Sequence, residues 1–267
     1  FQCRRIERFR HGRVIFAGDS AHQVSPFGAR GANSGLQDVD NLAWKLDLVM
    51  RGVAPEALLD SYDAERVFAA DENIRNSTRS TDFIAPQGEA EQALRDAALA
   101  LAERHPFARR FVNSGRLSLP STYRDSPLST PDGDAFGGAM VPGAPCADAP
   151  VTRGNGAPWL LEQLHGVGFT AALFVDGALS PQDSERLRGL SAGPVPIAPM
   201  VVSGTEVEGW PSSVVDRDGL AARRYDARPG TLYLLRPDQH VAARMRNFDV
   251  AAVRGAAVRA VGIGAGG

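Results

Sequence analysis

The sequence predicts an α/β protein in two unlike parts, a helical part followed by a part in which strands and helices alternate. From residue 36 to residue 104, apolar residues recur at the three- and four-residue spacing of a helix face. From Trp159 onward, short β-branched and aromatic runs alternate with helical segments, as in a sheet covered by helices. A segment rich in Ser, Pro, Gly and Asp separates the two. We therefore predict three regions: residues 1–113, a connector over 114–150, and residues 151–267.

Composition excludes several classes of protein. Hydrophobic residues make up 43% of the 267 residues and charged residues 22%, which is typical of globular chains. The net charge of -2 argues against a nucleic-acid binder, which would carry an excess of basic residues. The sequence also has no apolar run long enough to span a membrane. Cys3 and Cys146 are too few for a disulfide framework, which favours a cytoplasmic location. Lys45 is the single lysine among 29 basic residues, a usage typical of a GC-rich bacterial genome.

The first part is predicted to contain a strand, a glycine-rich loop and three helices. The strand covers residues 13–17 and is expected to be buried, and the loop covers 18–35. Helices are predicted from Leu36 to Met50, from Pro55 to about Arg79, and from Ala90 to Arg104. The apolar residues of the first helix are predicted to form its buried face: Leu36, Val39, Leu42, Ala43, Leu46, Val49 and Met50.

The connector is interpreted as an ordered surface segment, because it contains apolar residues that would anchor it. These residues are Tyr123, Leu128, Phe136 and Val141. Full flexibility of the segment is the alternative.

The last part has the element order β-α-β-α-β-β-α, which is that of a thioredoxin-like fold. The predicted strands and helices are Phe169–Val175, Pro181–Leu190, Val195–Val202, Gly219–Tyr225, Thr231–Arg236, His240–Arg244 and Asp249–Val261. Residues 176–179, Asp-Gly-Ala-Leu, stand where such folds carry C-x-x-C, so dithiol exchange is excluded. We expect Trp159–Gly267 to hold an independent core, and removal of this tail to leave the chemistry elsewhere intact while stability or oligomeric state suffers.

The glycine-rich loop is the candidate site. Asp19 follows the predicted strand, where its carboxylate would accept hydrogen bonds from a ligand's hydroxyls. Gly28 and Gly31 let the backbone approach a flat ligand, and the free N–H groups of the next helix favour an electron-rich atom. The alternative is a plain strand-to-helix connection in which Asp19 and Ser34 only cap. The histidines do not have metal-ligand spacing, so no metal site is predicted: His11, His22, His105, His165 and His240.

Three segments carry a resemblance to a known family. Residues 12–46, GRVIFAGDSAHQVSPFGARGANSGLQDVDNLAWKL, closely resemble the second flavin-binding motif of class A flavoprotein aromatic hydroxylases, the family of para-hydroxybenzoate, phenol and 3-(3-hydroxyphenyl)propionate hydroxylases. The resemblance continues through DSYDAERVFAADENI at 60–74. LYLLRPDQHVAAR at 232–244 resembles a signature of the thioredoxin-like tail of the phenol-hydroxylase branch, with Gln239 in place of the usual glycine.

This resemblance implies a role for each loop residue that matches the motif. Gly18 and Asp19 would lie at the ribityl chain of FAD, with Asp19 bonding its hydroxyls. Pro26 would lie against the isoalloxazine near the oxygen-reacting carbon, followed by Gly28; no residue is assigned a certain catalytic role. Gly31, Ala32 and Asn33 would face the pyrimidine edge, and a helix beginning near Ser34 would direct its positive end at the N1–C2=O region. Independently of the resemblance, Asp38 is expected to support the first turn of that helix electrostatically. His22 is expected to stabilise the turn through a hydrogen bond.

The resemblance also implies a function for the protein that contains this chain. It would be an FAD-dependent, NAD(P)H-using monooxygenase that hydroxylates a small aromatic substrate through a flavin C4a-hydroperoxide. The Rossmann GxGxxG unit of such enzymes is missing from the sequence, so the chain is interpreted as the C-terminal part, with an N-terminal Rossmann half as its partner. A homodimer is left open. The alternative function is a non-catalytic structural or association module that does not bind FAD by itself.

Overall fold

The chain folds into two compact units. The computed structural model describes residues 2–26, 28–113, 119–154, 159–164, 166, 168–210 and 213–263. One unit comprises Phe1–Asn41 and Tyr62–Ser121, and the other comprises Leu42–Ser61 and Thr122–Gly267. The predicted boundary at Ser114 lies outside the described residues, and the three predicted regions stay a prediction. Within the described ranges, no helix is long and apolar enough to cross a membrane.

The first unit begins with two short antiparallel strand pairs. The strands are β1 (Arg4–Arg5), β2 (Arg10–His11), β3 (Val14–Ile15) and β4 (His22–Gln23), with β1 paired to β4 and β2 to β3. The expected buried strand over 13–17 is wrong in length and burial, because only Val14 and Ile15 pair and Val14 is 57% exposed. The run of β-branched residues therefore forms a surface hairpin.

The long helix α1 spans Gly31–Met50, so it begins well before the predicted start at Leu36. The predicted buried face is also wrong: Leu36, Val39 and Met50 are 70%, 56% and 84% exposed. The face that is buried is polar from Ser34 to Asn41, and apolar residues join it only from Trp44 onward. Its residues are Ser34, Asp38, Asn41, Trp44, Lys45 and Leu48. Apolar periodicity missed this face because hydrogen-bonded polar side chains are buried in place of apolar ones.

The remaining helices of the helical part follow the predicted pattern more closely. A 3-10 turn at Glu56–Leu59 leads into α2, Asp60–Ile84, which continues past the predicted end at Arg79. Helix α3, Glu89–Arg104, confirms the prediction for Ala90–Arg104 and ends before Pro106. Helix α4 covers Arg109–Asn113.

The second unit contains a mixed five-stranded sheet. Its strands are β5 (Phe169–Phe174), β6 (Ile197–Ser203), β7 (Val214–Val215), β8 (Leu232–Leu235) and β9 (Val241–Met245). The spatial order is β7-β6-β5-β8-β9; β5, β6 and β7 run parallel, β8 pairs antiparallel with β5, and β9 pairs antiparallel with β8. Helices α5 (Pro181–Gly189), α6 (Leu220–Arg224) and α7 (Val250–Ala260) lie between or after the strands. Every predicted element of this part is present, and β7 is additional.

The core of the second unit includes residues from outside the predicted tail. Trp44, Leu48 and Leu58 pack in one cluster with sheet residues such as Phe169 and Leu232. The Trp44 ring meets the Phe169 ring edge-on at a centroid distance of 5.7 Å. From the connector, Tyr123 and Leu128 are buried, as expected of anchors. The tail therefore shares its core with the segment 42–61 and with the connector.

The hairpin of the RPDQH motif holds a buried ion pair beside Trp44. Arg236 donates to Asp238 at 2.5 Å, and the Arg236 guanidinium carbon lies 5.2 Å from the centre of the Trp44 ring. Burial alone would raise the pKa of Asp238, but the charges of Arg236 and His240 lower it far below its usual value. Gln239 occupies the left-handed region at φ +57°, which explains why glycine suits this turn position.

Candidate functional site

The turn that carries Asp19 is a tight 3-10 turn at the surface. It covers Gly18–Ser20, and Gly18 has φ +60°, a left-handed conformation that favours glycine. Ala21 N–H donates to the Gly18 carbonyl at 2.8 Å, and Ser20 Oγ donates to the Ala17 carbonyl at 2.8 Å. The Asp19 side chain is exposed. The turn thus presents a carboxylate to the surroundings from a constrained backbone.

The loop from Pro26 leads directly into the first turn of α1. Pro26 is exposed, and the Ala29 N–H donates to its carbonyl at 3.2 Å. Gly28 and Ala29 both have positive φ, +92° and +52°. Asn33 Nδ2 donates back to the Ala29 carbonyl at 2.6 Å, which ties the first helical turn to the loop.

Three predicted site residues form the start of the helix. Because α1 begins at Gly31, the residues Gly31, Ala32 and Asn33 are its first turn, and their N–H groups lie where a helix lacks internal acceptors. The predicted helix start near Ser34 is therefore corrected by one turn. Ala32 and Asn33 are exposed. Among the described residues, a β-carbon built on Gly31 would meet Val24 Cγ2, at 3.8 Å.

The Asp19 turn lies against the second turn of the same helix. A β-carbon on Gly35 would lie 3.3 Å from the Gly18 Cα, so the two backbones approach closely. The Gly18 N–H donates to Asp38 Oδ2 at 2.8 Å. The structure therefore brings Gly18 and Asp19 beside the helix that carries Gly31, Ala32 and Asn33, through the Gly18–Gly35 contact.

Asp38 is buried, and within the described residues its side chain bonds neighbours outside the first helical turn, which it was predicted to support. It lies in the second turn of α1 and accepts hydrogen bonds from Gly18 N, His22 Nε2 at 2.7 Å and Arg66 Nε at 2.6 Å. Burial raises the pKa of Asp38, but the His22 hydrogen bond, the Arg66 charge and the Gly18 amide outweigh it and leave the pKa below its usual value. Asp38 is therefore an ionised carboxylate. The hydrogen bond expected of His22 is confirmed.

Sequence reasoning missed the two residues of α2 that bond this part of α1, namely Arg66, which bonds Asp38 and Ser34, and Asn73, which bonds Ser34. Arg66 also donates to the Ser34 hydroxyl at 3.2 Å, Asn73 Nδ2 donates to the same hydroxyl at 3.1 Å, and Arg30 Nη1 donates to Asn73 Oδ1 at 2.9 Å. All are buried. The sequence did contain one signal, because polar residues recur at helical spacing. They lie at positions 34, 38 and 41 of α1 and at positions 66 and 73 of α2.

The residues present fit a bound FAD. An exposed carboxylate on a fixed turn, a helix that begins at Gly31, and a glycine whose β-carbon would lie no closer than 3.8 Å to the described atoms around it are features that suit a ribityl chain and a flavin ring. In the described residues, no cluster of three or more His, Cys, Asp or Glu is arranged to hold a metal ion; His165 lies outside them. Burial raises the pKa of the Cys146 thiol to about 12.

Comparison with known sequences points to the family that the motifs resemble. Residues 2–77 match the family model described as the FAD binding domain. The chain is 32% identical over 249 residues to a 3-(3-hydroxy-phenyl)propionate/3-hydroxycinnamic acid hydroxylase of Klebsiella pneumoniae subsp. pneumoniae, covering 90% of this chain and 44% of that protein. It is 31% identical to a 6-methylpretetramide 4-monooxygenase of Streptomyces rimosus, covering 91% of this chain and 43% of that protein.

Solved structures show the same fold. The flavin-dependent monooxygenase PieE, in complex with FAD and substrate, aligns with a TM-score of 0.73 at 23% identity, over 96% of this chain and 49% of that one. The rebeccamycin biosynthetic enzyme RebC with reduced flavin aligns with a TM-score of 0.67 at 25% identity, over 96% and 46%. This chain thus spans less than half the length of these relatives. It belongs to the FAD-binding monooxygenase family.

Proposed function

We propose that the chain supplies the isoalloxazine and ribityl half of the FAD site of an aromatic hydroxylase that oxidises NAD(P)H. The observation that carries this proposal is the contact of the Gly18–Asp19 turn with α1, whose first turn is Gly31–Asn33. In this arrangement Asp19 accepts hydrogen bonds from the ribityl hydroxyls, and the N–H groups at the helix start donate to the electron-rich edge of the ring. When bound, FAD accepts hydride and activates O2.

The remaining predicted residues have positioning roles in this proposal. Pro26 and Gly28 lie at the isoalloxazine near the oxygen-reacting carbon, and Gly31 and Ala32 offer backbone N–H groups to the pyrimidine edge. Asn33 orders the loop through its bond to Ala29 and contributes its backbone. The substrate is proposed to be a small phenolic compound, as the names of the hydroxylase relatives suggest for those proteins.

The proposed partner is an N-terminal Rossmann half that holds the ADP part of FAD. Two observations support it: the chain covers 44% of its hydroxylase relative, and α1 exposes the apolar residues Leu36 and Val39. Exposed apolar residues in a row on one helix are typical of a surface that another segment covers. A homodimer and a cytoplasmic location stay predictions from the sequence.

Residues 151–267 are proposed to form a thioredoxin-like domain. The sheet order supports this: β5, α5 and β6 make a parallel unit, and the β8–β9 hairpin follows on the other side of β5, with α7 after it. Leu173, Asp176, Ser180 and Pro229 are among the residues lining a cavity of about 350 Å³ at the end of β5. Asp176 to Leu179 contain no thiol.

The test measures flavin content and turnover. We expect the full-length protein to purify yellow with one FAD per chain, and to oxidise NAD(P)H faster when a 3-hydroxyphenyl carboxylic acid is added, with a hydroxylated product. The chain alone is expected to bind FAD weakly or not at all, because it lacks the ADP half of the site. A full-length protein without flavin would support the non-catalytic module instead.

A further inference from the structure

A buried polar network connects the two segments proposed to contact FAD. At its centre, Asp38 receives the Gly18 amide and His22 on Oδ2, and Arg66 on Oδ1. Both oxygens of the carboxylate are engaged, and the side chains of Asp38, His22 and Arg66 are no more than 1% exposed. A carboxylate in this position bonds the backbone at the start of the Asp19 turn directly.

The same network reaches Ser34, which directly follows the first turn of α1. Arg66 donates to both the carbonyl and the hydroxyl of Ser34, at 3.2 Å each. Asn73 donates to the Ser34 hydroxyl and accepts from Arg30 Nη1. Arg30 directly precedes Gly31, so a continuous chain of hydrogen bonds runs from the Asp19 turn to the loop in front of the helix.

His22 supports Asp38 from the side of the turn. Its Nε2 bonds Asp38, its ring stacks on Phe9 at a centroid distance of 5.6 Å, and Nδ1 has no hydrogen-bond partner among the described residues. Arg66 brings a positive charge to the other carboxylate oxygen, with its Nε 2.6 Å from Asp38 Oδ1.

We propose that Asp38, assisted by His22 and Arg66, is a positioning residue that fixes the Asp19 turn against α1 in the geometry required for FAD binding. This inference rests on the proposed FAD site. Its physical reason is that Asp19 is exposed on a short turn, so the position of its carboxylate depends on how firmly Gly18 is held. A site built on a surface turn needs such buried support to keep its geometry.

The experiment compares two isosteric carboxylate-to-amide changes in the full-length protein. Asp38→Asn places an amide among three donors, so at least one of them loses its acceptor. The matched control is Glu65→Gln on α2: Glu65 is also buried in this unit and accepts from Asn41 Nδ2 at 2.8 Å. Both variants replace a buried carboxylate with an amide, and Asp38 is the one that bonds the Asp19 turn, through the Gly18 N–H.

Two readouts separate positioning from general stability. Amide hydrogen exchange of residues 17–21 without FAD should accelerate about tenfold or more in Asp38→Asn and stay unchanged in Glu65→Gln. The Kd for FAD should rise about tenfold or more in Asp38→Asn and change less than about threefold in Glu65→Gln. Equal effects of the two variants on the Kd, or faster exchange with an unchanged Kd, would overturn the inference.

A second pair of variants covers the case in which Asp38→Asn does not fold. His22→Gln keeps an N–H donor near the Nε2 position, whereas His22→Phe keeps a ring against Phe9 without a donor. We expect the first to bind FAD within about threefold of wild type and the second about fivefold or more weakly. Equal binding by both would overturn the role of the His22 bond. If wild-type protein binds no FAD, the proposed function itself is wrong.

Discussion

Two aspartates of one site have opposite surroundings and therefore opposite tasks. Asp19 is exposed on a 3-10 turn, while Asp38 is fully buried and accepts three hydrogen bonds. A carboxylate whose lone pairs are already engaged by the protein has little capacity for a ligand, whereas an exposed one is available. At the residue scale, we therefore propose ligand contact for Asp19 and geometric support for Asp38.

The first prediction concerns Asp19→Ala in the full-length protein. Loss of a charge-assisted hydrogen bond to the ribityl chain, about 1.5–3 kcal/mol, should raise the Kd for FAD by about ten- to a hundredfold. The melting temperature without FAD should stay unchanged, because the side chain is exposed. Asp82→Ala, at another exposed aspartate of the same unit, is the control and should bind FAD normally. Wild-type affinity in folded Asp19→Ala would contradict the assignment.

The second prediction concerns acid stability and Asp38. Its pKa lies below the usual value, so its contribution is fully present above the unfolded-state pKa of about 4 and is lost as pH falls through the folded-state pKa. Asp38→Asn should be less stable at pH 6, and its free energy of urea unfolding should fall less between about pH 4 and pH 2 than that of wild type. Asp82→Asn should keep the wild-type slope. An unchanged slope in Asp38→Asn would show that the folded protein does not hold this carboxylate ionised.

At the element scale, the helices and strands that bury apolar side chains were predicted well from the sequence, and those that bury polar side chains were not. The tail elements bury apolar side chains, as in the strand Phe169–Phe174, which is buried at every position, so alternation and turn signals located them. Helix α1 buries polar groups on its inner face, so apolar periodicity placed that face on the wrong side. Seven site residues were proposed from the motif. Arg66, which bonds Asp38, and Asn73, which bonds Ser34, lie far along the chain, and no local pattern links them to those partners.

The third prediction contrasts two glycines of α1. In the part of the chain that the structure describes, the methyl group of Gly31→Ala would meet Val24 at 3.8 Å, an ordinary contact. Folding stability should therefore stay equal or rise by about 0.5–1 kcal/mol, as for glycine replaced in a helix. FAD affinity should nevertheless fall about tenfold, because the new methyl group occupies the space proposed for the ring. Gly35→Ala, by contrast, presses on the Gly18 Cα at 3.3 Å and should lower thermal stability. If Gly31→Ala binds FAD like wild type, the loop does not approach the ring.

At the scale of the whole molecule, α1 belongs to both compact units. It supplies residues 31–41 to one unit and 42–50 to the other. In the second unit, Trp44 and Leu48 are 3% and 0% exposed, packed with residues of the sheet and of α7. The tail therefore buries part of the same helix that carries the proposed flavin contacts. Because this core is shared, we expect the opposite of the prediction from the sequence, namely that removal of the tail disturbs the flavin site.

The last prediction is that a chain ending at Ser121 does not fold cooperatively. Removing residues 122–267 exposes Trp44, Leu48 and Leu58. At about 1.5–3 kcal/mol for each large buried apolar side chain, the loss reaches the total stability of about 5–15 kcal/mol that ordinary domains have. We expect the truncated chain to bind the dye ANS, to lose its sharp thermal transition and to retain no flavin. The complementary change Trp44→Ala in the full chain should cost about 3–5 kcal/mol and lower the melting temperature without removing the fold. A truncated chain with a sharp transition and bound FAD would show that α1 is stable without the sheet, and that the tail contributes nothing to the flavin site.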